Sequence, residues 1–145
     1  MLPLNAQKVA GVKSDKLYFA DLGEKFKKAV IAEVEKVNEK ELLIIDLEAI
    51  KSIDPSFSRE AFVKLINDLS TEVVRPQLLF VGVNDSARQN LEVSFTYHSK
   101  YCLAQSTENK LMIIGKCADP FKDTINVMIR LKEAKVRDVA KELKI

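Results

Sequence analysis

The stretch IDPSFSREAF, residues 53–62, gathers the side chains of this sequence best placed to gain or hold charge. Asp54, Ser56, Ser58 and Glu60 fall where an apolar run gives way to an amphipathic pattern. One chemistry open to them is helix capping. Asp54 or Ser56 can accept hydrogen bonds from the unpaired N–H groups of a first helical turn. Pro55 suits a position whose N–H is not needed, and Glu60 agrees with the positive end of the helix dipole. The other chemistry is phosphorylation of Ser56 or Ser58. A helix N-terminus stabilises an anion, and the modification adds roughly −2 of charge to an edge that can face a partner.

The remaining sequence nominates no catalytic machinery. A single histidine, His98, excludes the usual two-His metal sites, and no motif supplies a nucleophile for it. Neither GxGxxG nor GxxxxGKS/T occurs, so no nucleotide-phosphate cradle is signalled. Cys102 and Cys117, without a CxxC, read as packed or exposed thiols. Asp46 ends an apolar run where α/β folds often place ligands. Tyr97, His98 and Tyr101 form an aromatic-polar patch that reads as a packing corner or a partner contact. Nothing joins a nucleophile, a base and an oxyanion site, so the expectation is a non-enzyme without cofactor or metal.

The elements that must position the 53–62 stretch follow from periodicity. LLIID at 42–46 and LLFVGV at 78–83 are short continuous apolar runs, the pattern of strands buried on both faces of a mostly parallel sheet. Leu22, Phe26, Ala29, Val30, Val34 and Val37 recur at spacings of three and four, which predicts a helix opening at Asp21 with Asp21 and Glu24 as a capping box. Gly23 weakens that first turn. Phe57, Ala61, Phe62, Leu65, Ile66 and Leu69 predict a second helix over 55–69. Asn84, Asp85 and Ser86 cap a third, with Ala87, Leu91 and Phe95 in line. YCLAQS and LMIIGK around a polar turn predict a hairpin, and NAQKVAGV near the start predicts an irregular strand. The sum is an α/β domain over residues 1–117 with helices packed on a mixed, mostly parallel sheet.

The composition, 47% hydrophobic and 30% charged, is that of a globular domain, and no apolar run reaches the roughly 18 residues of a membrane span. With no signal peptide either, a cytoplasmic location is expected. Net charge is uneven: residues 1–109 carry 14 Lys+Arg against 16 Asp+Glu, and residues 110–145 carry 9 against 5, or +4. In the segment 118–145, Phe121, Ile125, Met128, Ile129 and Lys132 share one helical face, and Val136, Val139, Ala140 and Leu143 another. Two short helices with a tight joint predict the opening of a helix-turn-helix, in which Lys135, Arg137, Lys141 and Lys144 would touch DNA phosphates. A solvated basic helix face accounts for the same lysines and arginine.

LLIIDLEAIKSIDPSF with the helix after it resembles the STAS domain of anti-sigma-factor antagonists. There a strand ending leads to a D-S-S-G-type turn whose second Ser is phosphorylated by a GHKL-type kinase. Asp54 aligns with that Asp and Ser56 with that Ser, while Pro55 and Phe57 replace the other two residues. The chain is more similar to the bacterial STAS-like family of uncharacterised regulators, whose S-F-A-D-E-L-F-like run reads here Ser56-Phe57-Ser58-Arg59-Glu60-Ala61-Phe62, with Arg59 in place of the acidic residue. This resemblance covers roughly residues 5–117 and implies a STAS-like sandwich. It also implies a non-enzymatic regulator that binds a protein through Asp54, Ser56, Phe57, Ser58 and Glu60. TINVMIRLKEAKVRDVAKELKI is similar to the first two helices of winged helix-turn-helix domains. The expected function is thus transcription regulation, with a protein partner on the STAS-like domain and DNA on a completed C-terminal domain. The alternative is a standalone interaction switch controlled at Ser56. The partners expected are a GHKL-type ATPase or kinase or another regulator, and a second copy of the chain in a homodimer.

Overall fold

Described in a computed structural model are residues 2–36, 42–69 and 77–118. In chain order they form β1 (Leu2–Asn5), α1 (Ala6–Ala10), β2 (Lys16–Leu17), α2 (Ala20–Glu35), β3 (Leu42–Asp46), β4 (Ser52–Ile53) and α3 (Pro55–Ser58). A π-helical turn (Arg59–Val63), α4 (Lys64–Leu69), β5 (Gln77–Val83), α5 (Asp85–Tyr97), β6 (Tyr101–Ser106) and β7 (Leu111–Gly115) follow. Five strands make one sheet in the order β1-β3-β5-β6-β7, parallel except for the last hairpin. Two-residue strands β2 and β4 pair separately, in parallel. The mixed α/β architecture and its mostly parallel sheet are those read from the sequence.

Strand alternation divides the sheet into two apolar faces. Leu43, Ile45, Phe80, Cys102, Ala104 and Ile114 pack with the helices into one core. Ile44, Leu79 and Val81 form a second cluster on the opposite face, with Leu42, Leu103 and Leu111 against it. In β5 the register shifts between Phe80 and Val83, a one-residue bulge that returns Val83 to the helix-covered face. Gly82 sits in the bulge at φ +66, and a Cβ there would lie 2.9 Å from the Glu48 backbone nitrogen. The loop leaving β3 thus crosses the end of β5 at backbone distance, tied by Leu47 N–H to the Val81 carbonyl at 2.9 Å.

Three local readings change. NAQKVAGV is not a strand: Asn5 accepts from the Lys8 N–H and caps α1, and Gly11 at φ 69 closes that helix. Helix α2 has no capping box, because its N-cap is Phe19, which makes no side-chain cap bond. Gly23 supports α2 by its missing side chain: a Cβ would stand 2.7 Å from the Phe57 carbonyl oxygen, so glycine lets α2 and α3 touch backbone to backbone.

The helix over 55–69 is continuous but widened into an underwound π turn at its centre. An i→i+5 repeat sets Phe57 and Phe62 on one face, which an α-helix would not do. Their rings meet at 5.7 Å, and each meets Phe26, at 5.6 and 5.4 Å. Phe62 stacks edge-on against Phe80 at 4.8 Å, and Phe80 continues to Phe95 at 6.2 Å. All five rings are fully buried. This aromatic chain is the floor on which the Asp54 turn rests.

Candidate functional site

Asp54 is the hub of the site. It is the N-cap of α3: Oδ1 accepts from Phe57 N–H at 2.7 Å. Ser56 does not cap; its hydroxyl donates to the same Oδ1 at 3.1 Å. The second oxygen, Oδ2, accepts from Phe19 N–H at 2.9 Å, across 35 positions of sequence. Pairing of β2 with β4 makes that reach possible. It sets Leu17 beside Ile53, and the Asp54 N–H donates to the Leu17 carbonyl at 3.0 Å. Tyr18 and Ser52 hydroxyls meet at 2.7 Å on the same edge. One carboxylate therefore caps a helix and clamps the entry to another.

What it clamps is strained. Phe19 has φ 77 and ψ 143, a region open to glycine and sparsely visited by any other residue. Its ring is 72% exposed. In the sequence, Leu17-Tyr18-Phe19 is a short apolar segment with nothing in its residue types to single out Phe19.

The other residues of the predicted site separate by burial. Phe57 and Ser58 are fully buried, so neither offers a partner any surface; Phe57 belongs to the aromatic floor. The Ser58 hydroxyl has no hydrogen-bond partner and no exposure, which removes it as a phosphate acceptor in the folded chain. Ser56 is half-buried, Arg59 exposed. Glu60 accepts from Lys64 at 2.6 Å and Arg59 at 3.2 Å, with its side chain 15% exposed. The Lys64 hydrogen bond, seconded by Arg59, holds its carboxyl below the usual carboxylate range against the opposing pull of burial. Glu60 is engaged in ion pairs on the flank of the helix.

Asp46 accepts from the Glu48 N–H at 2.9 Å, an Asx turn that carries the chain out of β3. Tyr97 is 83% exposed and packs edge-on against His98 at 5.0 Å, while Tyr101 opens β6. Burial pushes the Cys102 thiol far above its ordinary range, with the Glu92 charge adding to it, so that thiol is inert while the chain is folded. Among the described residues, no group of three or more His, Cys, Asp or Glu converges as metal ligands would, and no helix is long and apolar enough to cross a membrane. Lys135, Arg137, Lys141 and Lys144 lie outside the described residues, as does the predicted helix-turn-helix.

A five-stranded mixed sheet, with a strand leading through a short parallel edge into a capped helix, is consistent with a STAS-like α/β fold. Residues 23–88, a little under half of the chain, match the family model of the STAS-like domain of unknown function (DUF4325). That stretch holds the Asp54 turn, the π turn and the whole aromatic floor except Phe95. No curated protein and no solved structure matches the chain.

Proposed function

We propose that this protein is a non-catalytic regulatory module that binds another protein through the surface formed by Phe19 and the Asp54–Ser56 turn. The observation that carries the reading is Phe19: an aromatic ring held 72% exposed on a strained backbone, pinned there by the half-buried Asp54 carboxylate. Strain of this kind costs about 1–3 kcal/mol and persists where the surroundings enforce it. A rigid exposed aromatic is also the residue type that anchors protein interfaces. STAS-like domains generally mediate protein interactions, which supports the same reading. The test compares proteins captured from source cells by the intact chain and by Phe19→Gly. A partner held by the intact chain and lost by the folded variant is expected. Equal capture by both would refute the assignment.

A second reading is a switch at Ser56. Its hydroxyl lies 3.1 Å from Asp54 Oδ1, so a phosphate there sets a dianion against the clamp carboxylate. Repulsion would loosen the Asp54–Phe19 bond and change the interaction surface. A satellite about 80 Da heavier in the intact mass, mapping to Ser56, is the expected signature. The finer assignment to transcription adds DNA, contacted by Lys135, Arg137, Lys141 and Lys144 in a completed helix-turn-helix. Its support is the sequence pattern of 118–145 and the +4 charge of residues 110–145. Binding to duplex DNA that weakens steeply with salt is expected if it holds.

A further inference from the structure

Two starts for α2 are written into the chain, and the structure uses the one without a side-chain cap. The helix opens at Ala20 behind Phe19, whose side chain makes no cap bond and whose backbone is at φ 77 and ψ 143. The first bond of the helix, from the Gly23 N–H to the Phe19 carbonyl, is 3.2 Å long. Asp54 Oδ2 fixes Phe19 in place from 35 positions away. Inside the first turn stands Asp21, with Glu24 three residues on. At that spacing a side chain at the N-cap and one at N3 each accept the other's backbone N–H. In the observed start both are exposed, and Glu24 pairs with Lys28 at 3.3 Å on the surface, a contact of small worth.

We propose that residues 19–21 form a two-state switch thrown by the Asp54–Phe19 bond. With the bond made, α2 starts at Ala20. With the bond released, α2 restarts behind Asp21, capped by Asp21 and Glu24, and Phe19 leaves its positive-φ conformation. The hydrogen bonds nearly balance. The restart gives up the Gly23 bond to Phe19, the next i→i−4 bond from Glu24 to Ala20, and the Asp54 bond itself. It gains the two bonds of the capping box and the relief of the strain at Phe19. Two states this close let a single long-range bond decide between them.

Gly23 limits how far the change travels. A Cβ there would stand 2.7 Å from the Phe57 carbonyl oxygen, so α2 is held in backbone contact with α3 at that point. Phe26, Val30 and Val34 beyond it are buried in the core. Leu22 packs against the same core and keeps its helical place as the residue after the new cap. The switch therefore moves the exposed ring of Phe19 and leaves the aromatic floor alone. Its consequence for binding rests on the interaction reading: the clamped start presents the ring in one fixed position, and the restart frees it.

The experiment is backbone NMR on the full chain with no partner present, reading Cα shifts and amide exchange. Asp54→Asn keeps one oxygen to cap α3 and sets a nitrogen, which cannot accept, opposite the Phe19 N–H. In that variant Ala20 should lose its helical Cα shift. The Asp21 amide should exchange severalfold more slowly, because the Glu24 side chain now holds it. The shifts of Pro55–Ser58 should stay helical. A helical Ala20 in Asp54→Asn would show that the clamp does not hold the start. A coil-like Ala20 without slower exchange at Asp21 would be fraying and not a restart. Either result overturns the proposal. Glu24→Ala, a surface change that leaves the clamp intact, supplies the reading if Asp54→Asn does not fold. It removes the cap of the alternative start, so the Phe19 amide should exchange more slowly than in the unaltered chain. Equal or faster exchange overturns the proposal. No partner enters these readouts, so the switch and the interaction surface stand or fall separately.

Discussion

Phe57 and Phe19 both give their backbone N–H to the same Asp54 carboxylate, at 2.7 and 2.9 Å, and share little else. Phe57 is helical, fully buried and ringed by Phe26 and Phe62. Phe19 is in a conformation suited to glycine, and its ring points to solvent. A residue that serves stability sits in a favourable backbone and surrenders its side chain to the core. A residue in a costly backbone with an uncovered ring serves something other than stability. The two sides of Asp54 thus divide the site into a floor and a surface.

Substitutions can sharpen or break that division. Phe57→Ala should lower unfolding free energy by about 3–5 kcal/mol in chemical denaturation, through the cavity left among the rings. A small loss would mean the floor is not where the stability lies. Asp54→Ala removes a cap and uncouples the two regions together, and should cost about 2 kcal/mol. Ser56→Ala, which leaves the cap in place, should cost clearly less than Asp54→Ala; equal losses would show that Ser56 shares the capping. Phe19→Gly should leave stability unchanged or raise it by up to about 1 kcal/mol, because glycine accepts φ 77 without strain. A marked loss there would place Phe19 with the floor and end the comparison.

The smallest expected effect is electrostatic. Glu60 has its carboxyl lowered by Lys64 and Arg59, so its contribution is fully present above the unfolded carboxylate range. The contribution fades as pH falls through the lower folded value. Glu60→Gln should therefore flatten the acid side of the stability–pH curve and leave the binding proposed for Phe19 unchanged. Titrating stability by thermal melts from neutral to acid pH in both proteins reads this directly.

Much of the floor was legible in the sequence. Phe26, Val30 and Val34 announce α2, and LLIID and LLFVGV announce β3 and β5, because burying a helix face or a strand leaves a short-period record. Phe57 and Phe62 were both assigned to the helix, although their spacing of five fits an α-helix poorly. The π turn that reconciles them left no local signal. Asp54 was recognised as a cap candidate by the residues that follow it. Its second role was not legible, since the group it holds lies 35 positions earlier and the two-residue strands that bring them together are too short to carry a pattern. Gly23 looked like a weak point in a helix until the Phe57 carbonyl was seen against it.

The sequence by itself determined the α/β class, the helix faces, the hairpin and the turn at Asp54, all of which are recorded in side-chain spacings of two to four residues. Tertiary structure alone decided that Ser58 is sealed in the core and that Asp54 grips Phe19. These follow from contacts between segments distant in the chain, where the energy depends on which surfaces meet and no local periodicity encodes the meeting.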